Sequence, residues 1–186
     1  PDVLEWYYEA AESTGSDYFA LPPSGHLYAY PGSMPPEQQE QFVANTESVA
    51  ELLGTRSVVH WEWFTNWRGA LSSFLPRYAH EGGQVQGVFP VNVPYLVDMF
   101  AAWPAEQQYE RITGSDGSAV VIFRSRSWRG VDDRDSFHPT AQAMSERLAA
   151  LPPGSVTWVY MTSDGGLTLE NSYTALTQIL PSNVVL

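Results

Sequence analysis

Glu62 stands between two tryptophans in His60-Trp61-Glu62-Trp63-Phe64-Thr65-Asn66-Trp67, the densest aromatic run of the chain. A carboxyl group set against apolar rings loses solvation when it ionises, which raises its pKa towards the range a general acid needs. Glu62 is therefore the first candidate for proton donation. The competing reading makes it the partner of an arginine or a solvated loop residue. At a period of two, Trp61 and Trp63 share one face of a strand, and Glu62 points the other way with His60. Further acids that could work with Glu62 are Asp164, in Thr162-Ser163-Asp164-Gly165-Gly166, and Asp132, in Trp128-Arg129-Gly130-Val131-Asp132-Asp133-Arg134-Asp135. Asp164-Gly165 is equally an ordinary turn, and the charges of 128–135 can pair among themselves. That loop lacks the ligand positions and glycine of a calcium site, and His26, His60, His80 and His138 have no metal-site spacing. No cofactor is expected.

A second group of ligand-binding types lies in Leu21-Pro22-Pro23-Ser24-Gly25-His26-Leu27-Tyr28-Ala29-Tyr30-Pro31-Gly32. Prolines fix φ and glycines permit positive φ, so this loop reads as stiff and tightly turned. If it is locally extended, His26, Tyr28 and Tyr30 fall on one side and offer an imidazole, two ring faces and two hydroxyls. The alternative is that the rings simply close the mouth of the core.

Gly25-His26-Leu27-Tyr28-Ala29-Tyr30-Pro31 resembles the signature of the GxGYxYP family of putative glycoside hydrolases, with Leu27 where the family has its second glycine. Asp17-Tyr18-Phe19 and Pro23-Ser24 fit the approach to that signature. The likeness continues through the helix-like run that follows and the tryptophan-rich strand at Trp61. It implies a carboxyl-terminal domain, a carbohydrate ligand and an extracellular or periplasmic setting. It also implies an amino-terminal domain that nothing in this chain resembles.

Composition narrows the chemistry. The 186 residues are 44% hydrophobic, which suits a single domain able to bury a sizeable core without staples. Beginning at Pro1, that domain is compatible with excision from a longer, multidomain protein. With no cysteine there is no thiol nucleophile, disulfide or thiolate-bound metal. All nine basic residues are arginine, which excludes Schiff-base and P-loop lysine chemistry. A net charge of −12 repels nucleic acid and anionic membrane, and no apolar run is long enough for membrane insertion. Neither a G-x-S-x-G elbow nor a G-x-G-x-x-G turn is present.

The elements that must position these residues alternate. Helices are predicted over 3–13, 35–53, 66–80, 95–103, 139–151 and 169–179. Strands are predicted over 18–21, 57–64, 85–88, 119–123 and 156–161. On helix 35–53 the apolar face is Phe42, Val43, Val49, Leu52 and Leu53, with Gly54 as its cap. The expectation is an α/β fold with a mainly parallel sheet, either open and doubly wound or a partial (β/α) barrel. Ligands of such sheets bind at the carboxyl ends of the strands. That places the motif loop, Trp61–Trp63, Asn92, Arg124, Arg126 and Asp164 at one edge.

Aromatic faces for the C–H side of a sugar ring, and polar groups for its hydroxyls, thus concentrate together. Three readings follow: a glycoside hydrolase domain using Glu62 with Asp164 or Asp132, a noncatalytic carbohydrate-binding domain, or an interaction domain with an acidic surface. A hydrolase needs its carboxyls about 5.5 Å apart for retention or about 6.5–9.5 Å for inversion.

Overall fold

The computed structural model describes residues 2–15, 17–63, 65–91, 100, 102–104, 106–128, 141–161, 174 and 177–178. Helix α1 (Val3–Thr14) begins where the Asp2 side chain accepts the Leu4 N–H and ends at Gly15, whose φ of 66° is the left-handed capping conformation. The predicted strand over 18–21 does not form. Tyr18 is 88% exposed, and only Leu21 is buried, in one parallel bridge to Val58. Pro22 and Pro23 follow it without N–H groups, so no ladder can extend beyond that bridge.

Helix α2 (Pro36–Leu52) starts on proline, which suits a first turn, and buries Gln39, Phe42, Val43, Thr46 and Ala50. Leu52, expected on this face, is 82% exposed. It lies six residues beyond Thr46, about 120° round the helix, outside the stripe. Leu53 is the cap, and Gly54 after it takes the left-handed turn.

Strand β1 (Ser57–His60) pairs in parallel with β2 (Gly87–Pro90), Val58 opposite Val88, and β2 pairs in parallel with β4 (Ala119–Phe123). Between β1 and β2 the predicted helix becomes three short pieces: α3 (Trp67–Gly69), a π turn (Ala70–Phe74) and a 3-10 turn (Leu75–Tyr78). Pro76 supplies no N–H to the ladder, and the register of bonds changes around it. Strand β3 (Tyr109–Thr113), which the sequence pattern did not reveal, closes one edge antiparallel to β4 through the turn at 114–118. The sheet order is β1-β2-β4-β3.

A second parallel pair joins β5 (Ser125–Trp128), also unforeseen, to β6 (Trp158–Met161). Trp158 rests against Phe89 and donates its indole N–H to the Pro90 carbonyl, fixing this pair against β2. Helix α4 (Ala141–Ala149) falls within the range predicted for it. The helices predicted over 95–103 and 169–179 lie largely outside the described residues.

Alternate residues Val58, Val88, Val120 and Ile122 turn into one core with Phe42, Phe74, Leu75 and Tyr78. Burying one such side chain stabilises by roughly 1.5–3 kcal/mol. The result is a mixed α/β fold whose sheet is mostly parallel, and no barrel closes among the described residues. No described helix is long and apolar enough to cross a membrane.

Candidate functional site

The motif loop is fixed to the residues just past the carboxyl end of β1, as ligand loops of parallel sheets are. Ser24, fully buried, makes the junction. Its hydroxyl accepts the Trp61 N–H at 3.1 Å and lies 2.6 Å from the Trp61 carbonyl oxygen and 2.8 Å from that of Ala29. Sequence reasoning noted Ser24 only as part of the approach to the motif. A small hydroxyl residue between Pro23 and Gly25 carries no periodic signal, so its role was not visible.

Two glycines bring the loop close to its neighbours. A Cβ on Gly25, whose φ is 146°, would meet Thr46 Oγ1 at 2.5 Å. One on Gly32 would meet Glu62 Oε2 at 2.6 Å. Only glycine permits either approach.

Glu62 is 0% exposed. Its Oε2 accepts the Gly32 N–H at 2.6 Å, while Oε1 accepts the Trp63 N–H at 3.2 Å and the Asn66 side-chain amide at 3.4 Å. His60 Nε2 lies 3.7 Å from Oε2, an ion-pair distance beyond hydrogen-bond range. His60 is itself fully buried, stacked on Phe74 and edge-on to Trp67. Burial pushes its pKa below the usual imidazole value, and the Glu62 carboxylate pulls the other way less strongly. As the strand period predicted, His60 and Glu62 turn inward together. The strand itself ends at His60, so Trp61–Trp63 are placed by hydrogen bonds rather than by a ladder.

Outside this buried layer the aromatic residues meet. Tyr28 is 64% exposed and Trp63 47% exposed, with Tyr30 half-buried between them. The Tyr28 and Tyr30 rings are 5.8 Å apart, and those of Tyr30 and Trp63 are 6.1 Å apart, both edge-on. The two hydroxyls approach to 3.4 Å. That contact, with partial burial and the nearby Tyr160 hydroxyl, pushes the Tyr28 pKa up to about 12. Tyr30 shifts down, first through Tyr28 and then through the Trp61 indole N–H. Either hydroxyl can donate to the other across this contact.

His26 does not join this row. Its Nδ1 lies 3.1 Å from Thr46 Oγ1 and its ring packs on Phe42, both on α2. The loop turns at 23–28 instead of extending, so the period of two fails there. The arginines are held elsewhere. Arg124 donates to the carbonyls of Pro104, Gln107 and Phe100, and Arg126 donates to the Gln108 side chain. Asn92, Asp132 and Asp164 lie outside the described residues. Among the described residues no group of three His, Asp or Glu could hold a metal ion.

Gly25, Tyr28 and Tyr30 belong to one sequence pattern, Gly25 to Pro31, and the anchors Ser24 and Gly32 stand directly on either side of it. Residues 1–100 match the family model described as the GxGYxYP putative glycoside hydrolase C-terminal domain. The chain belongs to this family. In the GxGYxYP pattern Leu27 occupies a glycine position, and the structure accommodates it because its side chain is half exposed and its φ is not positive. No curated protein matches the sequence. A crystal structure described as that of a putative hydrolase from Bacteroides thetaiotaomicron has the same fold, with a TM-score of 0.65 at 16% identity. The match covers 97% of this chain and 32% of the other, so the chain spans about a third of that protein's length.

Proposed function

We propose that this is a carbohydrate-binding domain of a glycoside hydrolase, and that Tyr28, Tyr30, Trp61 and Trp63 receive a neutral oligosaccharide. The observation that carries this reading is the cluster of exposed rings at the carboxyl edge of β1, two of them bearing hydroxyls. Flat ring faces suit the C–H side of a sugar, the tyrosine oxygens suit its hydroxyls, and a net charge of −12 favours a ligand without negative charge. The sheet is read as open rather than as a partial barrel, since antiparallel β3 ends one edge of it. The chain is read as one domain of a longer protein, with an amino-terminal companion domain.

Glu62 is assigned a positioning role in this reading. Its oxygens face Gly32, Trp63 and Asn66, so it holds the loop rather than meeting a glycosidic oxygen. Carboxylate catalysis then falls to Asp132 and Asp164, or the domain binds without cleaving. Full burial of Glu62, with its oxygens engaged by Gly32, Trp63 and Asn66, favours the binding reading.

Calorimetric titration against a panel of neutral glycans tests the site, with Trp63→Ala as control. Heat with at least one glycan, lost in the variant, is expected. No heat from the folded protein with any of them would overturn the proposal. Reducing-sugar release by the same samples separates a hydrolase from a binding domain.

A further inference from the structure

At the opposite end of β1, beside Thr55–Ser57, two adjoining cavities open along helix α1. The larger, about 710 Å³, is lined by Tyr8, Tyr18, Phe19, Glu12, Asp17 and Arg56. The smaller, about 340 Å³, is apolar and lined by Leu4, Tyr7, Leu21, Pro22 and Leu53. Tyr8 and Phe19, in ring contact at 4.9 Å, line both. The Tyr8 hydroxyl donates to the Leu53 carbonyl, fixing the floor of the groove.

This region is uncovered to a degree unusual for its composition. Helix α1 has no buried residue, although Leu4, Trp6 and Tyr7 are among its twelve. All three are at least half exposed, and Tyr18 is more so. An apolar surface this continuous, rimmed by charge, marks an interaction site. The charge says which kind. Glu12 and Asp17 outnumber Arg56 in the larger cavity, no ion pair joins Arg56 to either among the described residues, and α1 adds Glu5 and Glu9 with no basic residue. A second copy of this chain would bring another net −12 against that rim.

We propose that this groove docks a basic amphipathic segment of a partner protein, with an arginine or lysine in the larger cavity and an apolar side chain in the smaller. A cation there meets the faces of Tyr8, Tyr18 and Phe19 together with two carboxylates, a combination a neutral sugar would not need. An alternation of one basic and one apolar anchor matches how grooves read short segments.

The test is fluorescence anisotropy of the 186-residue chain with a labelled short peptide of arginine and leucine in helical spacing, beside Glu/Leu and Gln/Leu counterparts. Micromolar binding of the Arg/Leu peptide alone is expected, weakened about fivefold or more by Glu12→Gln and by Tyr18→Ser. Both positions are exposed, so circular dichroism should show the fold intact. Glu110→Gln, on exposed β3, should leave binding unchanged. Equal binding of all three peptides, equal loss with Glu110→Gln, no loss in either groove variant, or no binding at all would overturn the proposal. So would a dimer in sedimentation that Tyr18→Ser dissolves.

Discussion

The Glu62 carboxylate and the Gly32 backbone N–H, 30 positions apart in sequence, meet at 2.6 Å. That bond ties the far end of the motif loop to the residues following β1, while Ser24 ties the near end. The exposed rings of Tyr28 and Tyr30 are carried between these two anchors. Their geometry therefore depends on the buried side chains of Ser24 and Glu62.

Gly32→Ala should break this arrangement. The new Cβ would lie 2.6 Å from Glu62 Oε2 and 3.0 Å from the Ala70 Cβ, so either the loop or the carboxylate must move. A loss of about 1–3 kcal/mol is expected in urea unfolding, the usual range for overpacking. A variant as stable as the parent would mean that the loop shifts freely.

Glu62→Gln separates two roles. A positioning residue whose acceptor oxygen is replaced by an amide should lose stability by about 1–3 kcal/mol, since the part-buried bond to the Gly32 or Trp63 N–H is lost, and glycan affinity should fall with it. A general acid would instead lose about 10²–10⁴-fold in turnover with stability and binding intact. Paired unfolding and turnover measurements decide between them.

Ring removal should act on binding alone. Trp63→Ala and Tyr28→Ala remove exposed side chains, so thermal midpoints should stay close to the parent value. Affinity for the bound glycan should weaken about five- to tenfold, or about 1–1.4 kcal/mol. A large fall in midpoint would show instead that the rings cover the core.

Stability should fall as pH drops below about 6.5, the ordinary imidazole value. Burial lowers the His60 pKa in the folded chain, so the unfolded state binds the proton first. The stabilisation is complete above that pH and is lost as pH falls towards the folded value, at no more than about 1.4 kcal/mol per pH unit. Glu62 is the charged group facing His60, and His26, whose pKa is also lowered by burial, adds a term of the same sign. Urea midpoints between pH 7.5 and 5.5 should slope less in His60→Gln than in the parent. Parallel slopes would remove His60 from the account.

Leu27→Gly restores the glycine of the family pattern, yet it should not stabilise the loop. Leu27 needs no positive φ, so the change mainly frees the unfolded chain and should cost about 0.4–1 kcal/mol.

Much of this protein was legible in its residues. The motif with its prolines and glycines gave the family. Helix periodicity gave α1, α2 and α4, because apolar stripes and caps are local properties. The parallel strands β1, β2 and β4 were legible because buried strands must be apolar, whereas β3 escaped because Tyr109, Glu110 and Arg111 are exposed edge residues whose pairing depends on β4. Alternation also told correctly that His60 and Glu62 face away from Trp63. It could not tell that Glu62 would be fully buried, because its burial depends on Gly32 and Asn66 arriving from other segments. Nor could it tell that His26 would turn to Thr46, or that Arg124 would be consumed by the carbonyls near Phe100. A side chain's type and local period set what it can do. Which donors and rings surround it is decided only when distant segments pack, since hydrogen bonds and burial act over a few ångströms of space and are blind to distance along the chain.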